Sequence, residues 1–175
     1  MKSKWALAVI VGLVGLAAYA TNVPATPATA PGFSGTTLAK ARYGEIFSHV
    51  HTTPASWQEL IQTKGESDLY VQQNTWDPSL CGGCTPGTGW HTHPGPSFVV
   101  VTQGSVTVYD GDDPTCAPQV YTANTATNAF VDAGGGHVHL IRNETGSVAK
   151  TIAVQLIPAG ADRRQDSPDP GNCAF

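Results

Sequence analysis

The chain has 175 residues, of which 41% are hydrophobic, and this suits one folded domain of ordinary size. Its net charge is only −4, and its nine lysines and arginines are scattered along the chain. No basic stripe is therefore available to neutralise a phosphate backbone, and nucleic acid is not an expected partner.

The N-terminal segment has the pattern of a secretory signal peptide. Lys2 and Lys4 precede an apolar run that extends to Ala18, and Ala-Tyr-Ala then offers a small-residue cleavage site. The pattern predicts a signal peptide over residues 1–20, a mature start at Thr21 and a secreted protein. The run is shorter than the ~20 residues of a membrane-spanning helix, so no stable membrane insertion is expected after cleavage. An uncleaved N-terminal anchor is the alternative.

The next segment, residues 21–35, is rich in proline, threonine and alanine and carries no charge. It cannot bury enough apolar surface to offset the entropy of ordering, so it predicts a flexible linker. Residues 36–175 then form the single domain, because no internal repeat divides them.

One helix is a candidate, over residues 54–63. Thr53 could act as its N-cap, and proline occupies its first turn. The alternation of Trp57, Glu59 and Ile61 would suit a strand equally well.

Strand patterns dominate the rest of the chain, because β-branched residues recur in short runs that end in glycine, asparagine, aspartate or proline. Many short strands at close spacing indicate an all-β sandwich or barrel rather than a βαβ fold. The predicted runs are residues 69–76, 98–102, 106–110, 130–132, 137–143 and 149–157.

Four cysteines in an exported chain predict two disulfide bonds, since oxidising compartments allow such bonds to persist. Cys81, Cys84, Cys116 and Cys173 permit three pairings, and the sequence does not choose among them. A redox role for Cys81 and Cys84 lacks the βαβ context of that motif, and a zinc site lacks a second pair.

All six histidines occur in His-x-His pairs: His49 with His51, His91 with His93, and His137 with His139. In a strand, residues two apart project to the same side. Two imidazoles from one strand and a third from a neighbouring strand could therefore converge on a metal ion. The simpler interpretation of an isolated pair is a surface position, and we expect that for the first pair.

The second pair belongs to a longer pattern that resembles the first motif of the cupin superfamily, HxH(x)3-4E(x)6G. His91, His93 and Gly104 match it, whereas Ser97 stands at the glutamate and Thr85 stands at the glycine expected six residues before His91. A serine hydroxyl is a weak neutral donor, so this exchange should disfavour manganese and leave a site of three nitrogens.

A later segment is similar to the second cupin motif, PxGxxHxxxN. Gly136, His139 and Asn143 match its glycine, histidine and asparagine, and Gly134 replaces its proline. An alternative register would make His137 the ligand, but Ile141 would then fall at the asparagine, so we prefer His139.

This resemblance implies a double-stranded β-helix, or jelly-roll barrel, over residues 36–175. It implies a divalent transition metal bound by His91, His93 and His139, as in three-histidine members that include thiol dioxygenase relatives. Iron is favoured over zinc, nickel, copper or manganese.

The expected activity is dioxygen-dependent oxidation of a small molecule, with Ser97 or His137 orienting a reactant. The alternative is a non-catalytic module that binds a metal or a small ligand outside the cell, because no general base or nucleophile with a clear partner is evident. Association through exposed sheet edges would give a homodimer.

Overall fold

The computed structural model describes residues 31–52 and 56–175. The predicted signal peptide and residues 21–30 of the predicted linker lie outside the described residues. Within them the regular structure is almost entirely β-strand, with one 3₁₀ turn at Pro78–Cys81. None of the described residues belongs to a helix with the length and apolar character that a membrane span requires.

The described residues form twelve strands. Their bounds are β1 Phe33–Tyr43, β2 Phe47–His51, β3 Gln58–Gln62, β4 Ser67–Trp76, β5 His91–Thr92, β6 Ser97–Gln103, β7 Ser105–Asp110, β8 Gln119–Thr122, β9 Ala129–Asp132, β10 His139–Arg142, β11 Ala149–Pro158 and β12 Gln165–Asp166.

Eight successive strands, β4 to β11, build two antiparallel sheets. One sheet has the order β4-β11-β6-β9 and the other β5-β10-β7-β8, with β1 and β12 added at one edge of each. Except at the hairpin of β7 and β8, each strand is followed by one in the other sheet, which is the two-Greek-key order of a jelly roll. The predicted all-β jelly-roll fold is confirmed.

Strand β1 begins at Phe33, three residues before the predicted start of the domain. Phe33 pairs with Trp76 of β4 in the antiparallel register, and the two rings lie 5.1 Å apart. Residues 33–35 therefore belong to the sheet rather than to the linker, because an aromatic side chain and a ladder partner hold them.

The segment considered for a helix is a strand where it is described. β3 pairs antiparallel with β2, and His49 lies opposite Leu60. A helix of ten residues gains little stability on its own, so a pairing partner decides the outcome. His49 and His51 are both exposed on this hairpin.

The long strand β11 shows how the barrel makes room inside. Buried, inward positions of this strand alternate with half-buried ones. The inward positions include the small or polar side chains of Thr151, Ala153 and Gln155. The bulkier Ile152 and Val154 lie on the outer face. Between Ala149 and Gln155, the inward side of this strand therefore carries no large apolar group, whereas Ile157 near its end is buried.

The four cysteines form two disulfide bonds, as predicted. The pairs are Cys81 with Cys84, next to the 3₁₀ turn, and Cys116 with Cys173. The second bond ties the C-terminal segment to the connection between β7 and β8.

A buried carboxylate joins β1 and β4 away from the histidines. Asp68 has no solvent exposure, and it accepts hydrogen bonds from Arg42 Nε at 2.9 Å and from the backbone N–H of Gly160 at 3.0 Å. Lys40 Nζ lies 3.1 Å from the same carboxylate. The hydrogen bond from Arg42 is the main reason why the pKa of Asp68 lies well below its usual value.

Asp68 should make folding stability depend on acidity. Because its pKa is lowered in the folded state, the stabilisation is complete above the ordinary carboxyl pKa of about 3.9 and declines as the pH falls below it. Between about pH 5 and pH 2, the urea midpoint of the Asp68→Asn variant should therefore fall less steeply than that of the wild type. The exposed Asp162→Asn variant is the control and should follow the wild type. Equal slopes for all three proteins would contradict the assignment.

Candidate metal centre

Three histidines meet inside the barrel. His91 lies on β5, His93 follows that strand directly, and His139 begins β10 opposite His91 in the antiparallel pairing. All three side chains are buried, and their ring centroids are 4.2 to 5.4 Å apart. One ring nitrogen from each lies within 4.8 Å of one from each of the others, so the group could hold a metal ion.

Backbone carbonyls fix the orientation of two of these rings. Nδ1 of His91 lies 2.9 Å from the carbonyl oxygen of Gly89, and Nδ1 of His93 lies 2.7 Å from that of Arg163. A carbonyl only accepts, so each Nδ1 carries the proton and each Nε2 presents a lone pair. Gln155 Nε2 is also 3.2 Å from Nδ1 of His93, but this is a meeting of two donors and the carbonyl bond is shorter.

Burial keeps these imidazoles neutral. It is the main cause that places the pKa of His91 well below the ordinary value, and it also lowers the pKa of His93. The pKa of His139 is lowered to about 4, again chiefly by burial. Neutral imidazole is the form that coordinates metals.

A carboxylate that the sequence motifs did not indicate lies beside the histidines. Asp132 on β9 is the ladder partner of Ser97 on β6, and both side chains are buried. Its Oδ1 accepts hydrogen bonds from the Gly134 N–H at 3.2 Å and from His137 Nδ1 at 3.1 Å. Its Oδ2 lies 4.0 Å from Nε2 of His93.

Two buried polar atoms in this group have no hydrogen-bond partner among the described residues, namely Oδ2 of Asp132 and Nδ1 of His139. Such atoms are uncommon in folded proteins, and a bound cation satisfies them. Two atoms bound to one ion at ~2.1 Å are at most about 4.2 Å apart, so the separation of Asp132 from His93 is compatible with a shared ion. The residues present therefore fit a divalent metal.

Ser97 points into the same space but is already engaged. Its hydroxyl accepts a hydrogen bond from Gln155 Nε2 at 2.9 Å, and Arg163 Nη1 donates to Gln155 Oε1 at 3.1 Å. The buried Gln155 side chain thus connects the Ser97 hydroxyl to the guanidinium group of Arg163 through two hydrogen bonds.

His137 lies just before β10, half-buried and outside the three-histidine group. Its Nδ1 bonds Asp132, and its Nε2 lies 3.1 Å from Oδ2 of Asp110. Burial alone would lower its pKa, but the bonds to the two carboxylates outweigh burial and raise it. With Asp132 and His139 it forms a second group whose ligand atoms lie within 4.8 Å.

Two cavities adjoin the centre and share Asp132 and His139. One has a volume of about 230 Å³ and reaches the three-histidine group, Ser97 and Arg163. The other has a volume of about 300 Å³ and is lined by Asp110 and His137. A small molecule in the first cavity would lie directly against the histidines.

The strand order defines a jelly-roll barrel, and the three-histidine group forms a candidate metal centre inside it. No protein-family model matches the chain, and no curated protein sequence matches it. Its structural neighbours include cupin superfamily proteins and an oxalate oxidase.

One of these neighbours is a cupin superfamily protein from Desulfitobacterium hafniense, with 10% identity, a TM-score of 0.40 and coverage of 70% of this chain and 81% of the other. A cupin domain from Bordetella pertussis has 17% identity, a TM-score of 0.38 and coverage of 66% and 96%. A recombinant oxalate oxidase in complex with glycolate has 16% identity, a TM-score of 0.43 and coverage of 73% and 52%.

Sequence reasoning did not identify Asp132, Gln155 or Arg163 as parts of this site. The only signal for Asp132 was a carboxylate at the end of a predicted strand, separated by Ala133 from a run of three glycines. Gln155 lies within the alternating pattern of β11, and Arg163 lies in the loop after that strand, so neither stood out in the sequence. Each reaches the centre through contacts between distant segments.

Proposed function

We propose that the protein binds a divalent transition metal through His91, His93 and His139, with Asp132 as a fourth ligand. The observation that carries this proposal is the set of three buried imidazoles, two of which are held by backbone carbonyls with Nε2 free. Without a cation, three desolvated imidazoles and an unpartnered carboxylate oxygen would destabilise the fold.

Asp132 would take the place of the glutamate that the first cupin motif has where this chain has Ser97. Because Ser97 and Asp132 are ladder partners, their side chains lie on the same face of adjacent strands. The carboxylate of Asp132 on β9 could therefore occupy the space that a glutamate at position 97 on β6 would fill. With this negative charge and oxygen ligand, iron(II) and manganese suit the site as well as zinc, nickel or copper.

The proposed activity is oxidation of a small molecule by dioxygen. A bound metal would supply open coordination positions and polarise what binds there. The chain would contribute the cavity, the Ser97 hydroxyl as a hydrogen-bonding group, and His137, which holds Asp132 in place. We also propose that the protein is secreted, in keeping with its two disulfide bonds.

A second candidate function is non-catalytic binding of a metal or small ligand. One observation favours it: the Ser97 hydroxyl is bonded to Gln155 and to no histidine among the described residues, so it has no general base. Oxygen-consumption screening of the metal-loaded protein with thiols, phenols and small diketones separates the two functions. Consumption supports the enzyme, and silence across the panel supports the binding module.

The metal proposal is tested by titrating the metal-free full chain with zinc and with iron(II) under argon. The wild type should bind one equivalent per chain. Asp132→Asn should bind about 10- to 100-fold more weakly, because an amide oxygen carries no charge. Asp110→Asn is the matched control: the backbone of Asp110 pairs with His139 in the sheet and is unchanged by the substitution, and its carboxylate is paired with His137, so the affinity should stay within a few-fold of the wild type.

A double variant distinguishes a ligand from a group that only orients a histidine. Ser97→Glu combined with Asp132→Ala returns the carboxylate to β6 and should recover most of the affinity lost in Asp132→Ala alone. If Asp132 only oriented His139, whose Nδ1 lies 3.6 Å from its Oδ1, the glutamate would restore nothing. Failure of the wild type to bind either metal would end the proposal itself.

A further inference from the structure

Arg163 is a half-buried cation with no acidic partner among residues 31–52 and 56–175. Its neighbour Arg164 pairs with Asp166 at 2.7 Å and donates to the carbonyl oxygen of Thr88 at 2.7 Å. Within the described part of the chain, the Arg163 guanidinium has one hydrogen bond, to Oε1 of the neutral Gln155 amide. A charge withdrawn from water without a counter-charge is costly, so a missing anion is indicated.

The position of Arg163 links that anion to the metal centre. Its backbone carbonyl holds His93, and its side chain reaches Ser97 through Gln155. The residue also lines the cavity of about 230 Å³ that contains the three histidines. Arg163 and the four proposed metal ligands therefore all belong to the wall of one cavity.

The cavity volume limits the size of the molecule. A water molecule occupies about 30 Å³ of liquid, so this cavity has room for about seven groups of that size. That volume suits an acid of about two to five carbons.

We propose that the ligand of this cavity is a small carboxylic acid whose carboxylate is paired with Arg163. This inference rests on the proposed function, because the cavity is the one beside the candidate metal centre. Guanidinium presents paired N–H donors in a plane that match the two oxygens of a carboxylate, and the charged bonds are stronger than neutral ones. Arg163 is then a specificity-determining residue that selects anionic over neutral molecules.

The test uses the metal-loaded full chain and isothermal titration with malonate, with its neutral diamide malonamide and with inorganic phosphate. Wild type should bind malonate at least about tenfold more tightly than malonamide or phosphate. Arg163→Gln should weaken malonate binding by about 10- to 100-fold while one metal per chain is retained. Lys150→Gln removes the same charge from a position on the outer face of β11 and should leave malonate binding unchanged.

Arg163→Lys keeps the charge without the planar pair of donors, and its affinity should fall between those of the wild type and Arg163→Gln. All proteins are titrated both metal-loaded and metal-free, so a variant that loses its metal is still compared with a parent in the same state. Equal malonate affinity in wild type and Arg163→Gln would overturn the inference, and so would tighter binding of phosphate than of malonate. Absence of metal from the wild type would overturn the proposed function alone.

Discussion

Replacing His139 with alanine should lower the affinity for zinc or iron(II) by at least about 100-fold. Structural zinc sites with four ligands have apparent binding free energies of about 10–16 kcal/mol, so one ligand contributes roughly 3 kcal/mol. His139 belongs to the three-histidine group and is buried, and its Nδ1 has no hydrogen-bond partner among the described residues, the Oδ1 of Asp132 lying 3.6 Å away. The measurement is competition with a chelator of known affinity, on full-length protein.

The matched control is His137→Ala, two residues away on the same segment. His137 lies outside the three-histidine group and contacts Asp132 and Asp110, so its removal should cost about tenfold through a less firmly held carboxylate, which is less than the loss in the His139 variant. A second control, His49→Gln with His51→Gln, removes an exposed pair and should change nothing. A larger loss from the His137 variant than from the His139 variant would assign the ligand to the other register.

Removing the Cys116–Cys173 bond should destabilise the protein far more than removing the Cys81–Cys84 bond. The two bonds span 57 and 3 residues of sequence. Loop-closure entropy then predicts about 4 kcal/mol for the long loop and about 1.5 kcal/mol for the short one. The long bond also packs both of its cysteines against the core cluster of Trp90, so serine replacements there lose apolar contact as well.

The measurement is the free energy of unfolding in urea for the two double cysteine-to-serine variants, compared with the wild type. Each variant keeps the other bond intact and so serves as the control for general effects of serine. Equal losses in the two variants would contradict the loop-length argument.

The fold was predictable because its signals are local. Alternation of apolar and polar residues, together with turn residues at the end of each run, is written along the sequence without reference to distant partners. The hairpin of β2 and β3 shows the limit of such signals. Trp57, Glu59 and Ile61 fit a strand or a short helix equally, and only pairing with β2 settles the matter.

The candidate site was predictable only in part. The spacing of His91 and His93 places both rings on one side of a strand, and the second motif selects His139. Asp132 depends on the register between β6 and β9, which is a long-range property: a slip of one residue would turn its side chain to the outer face. Arg163 depends on a loop conformation that no periodic pattern encodes.

Ala153 sits on the inner face of β11 and lines the cavity beside the histidines. A single methyl group thus forms part of the cavity wall, and it takes no part in the hydrogen bonds that hold the histidines. Evolution can accordingly narrow or widen the chamber at this one position, exchanging one class of guest molecule for another while the coordinating groups stay in place.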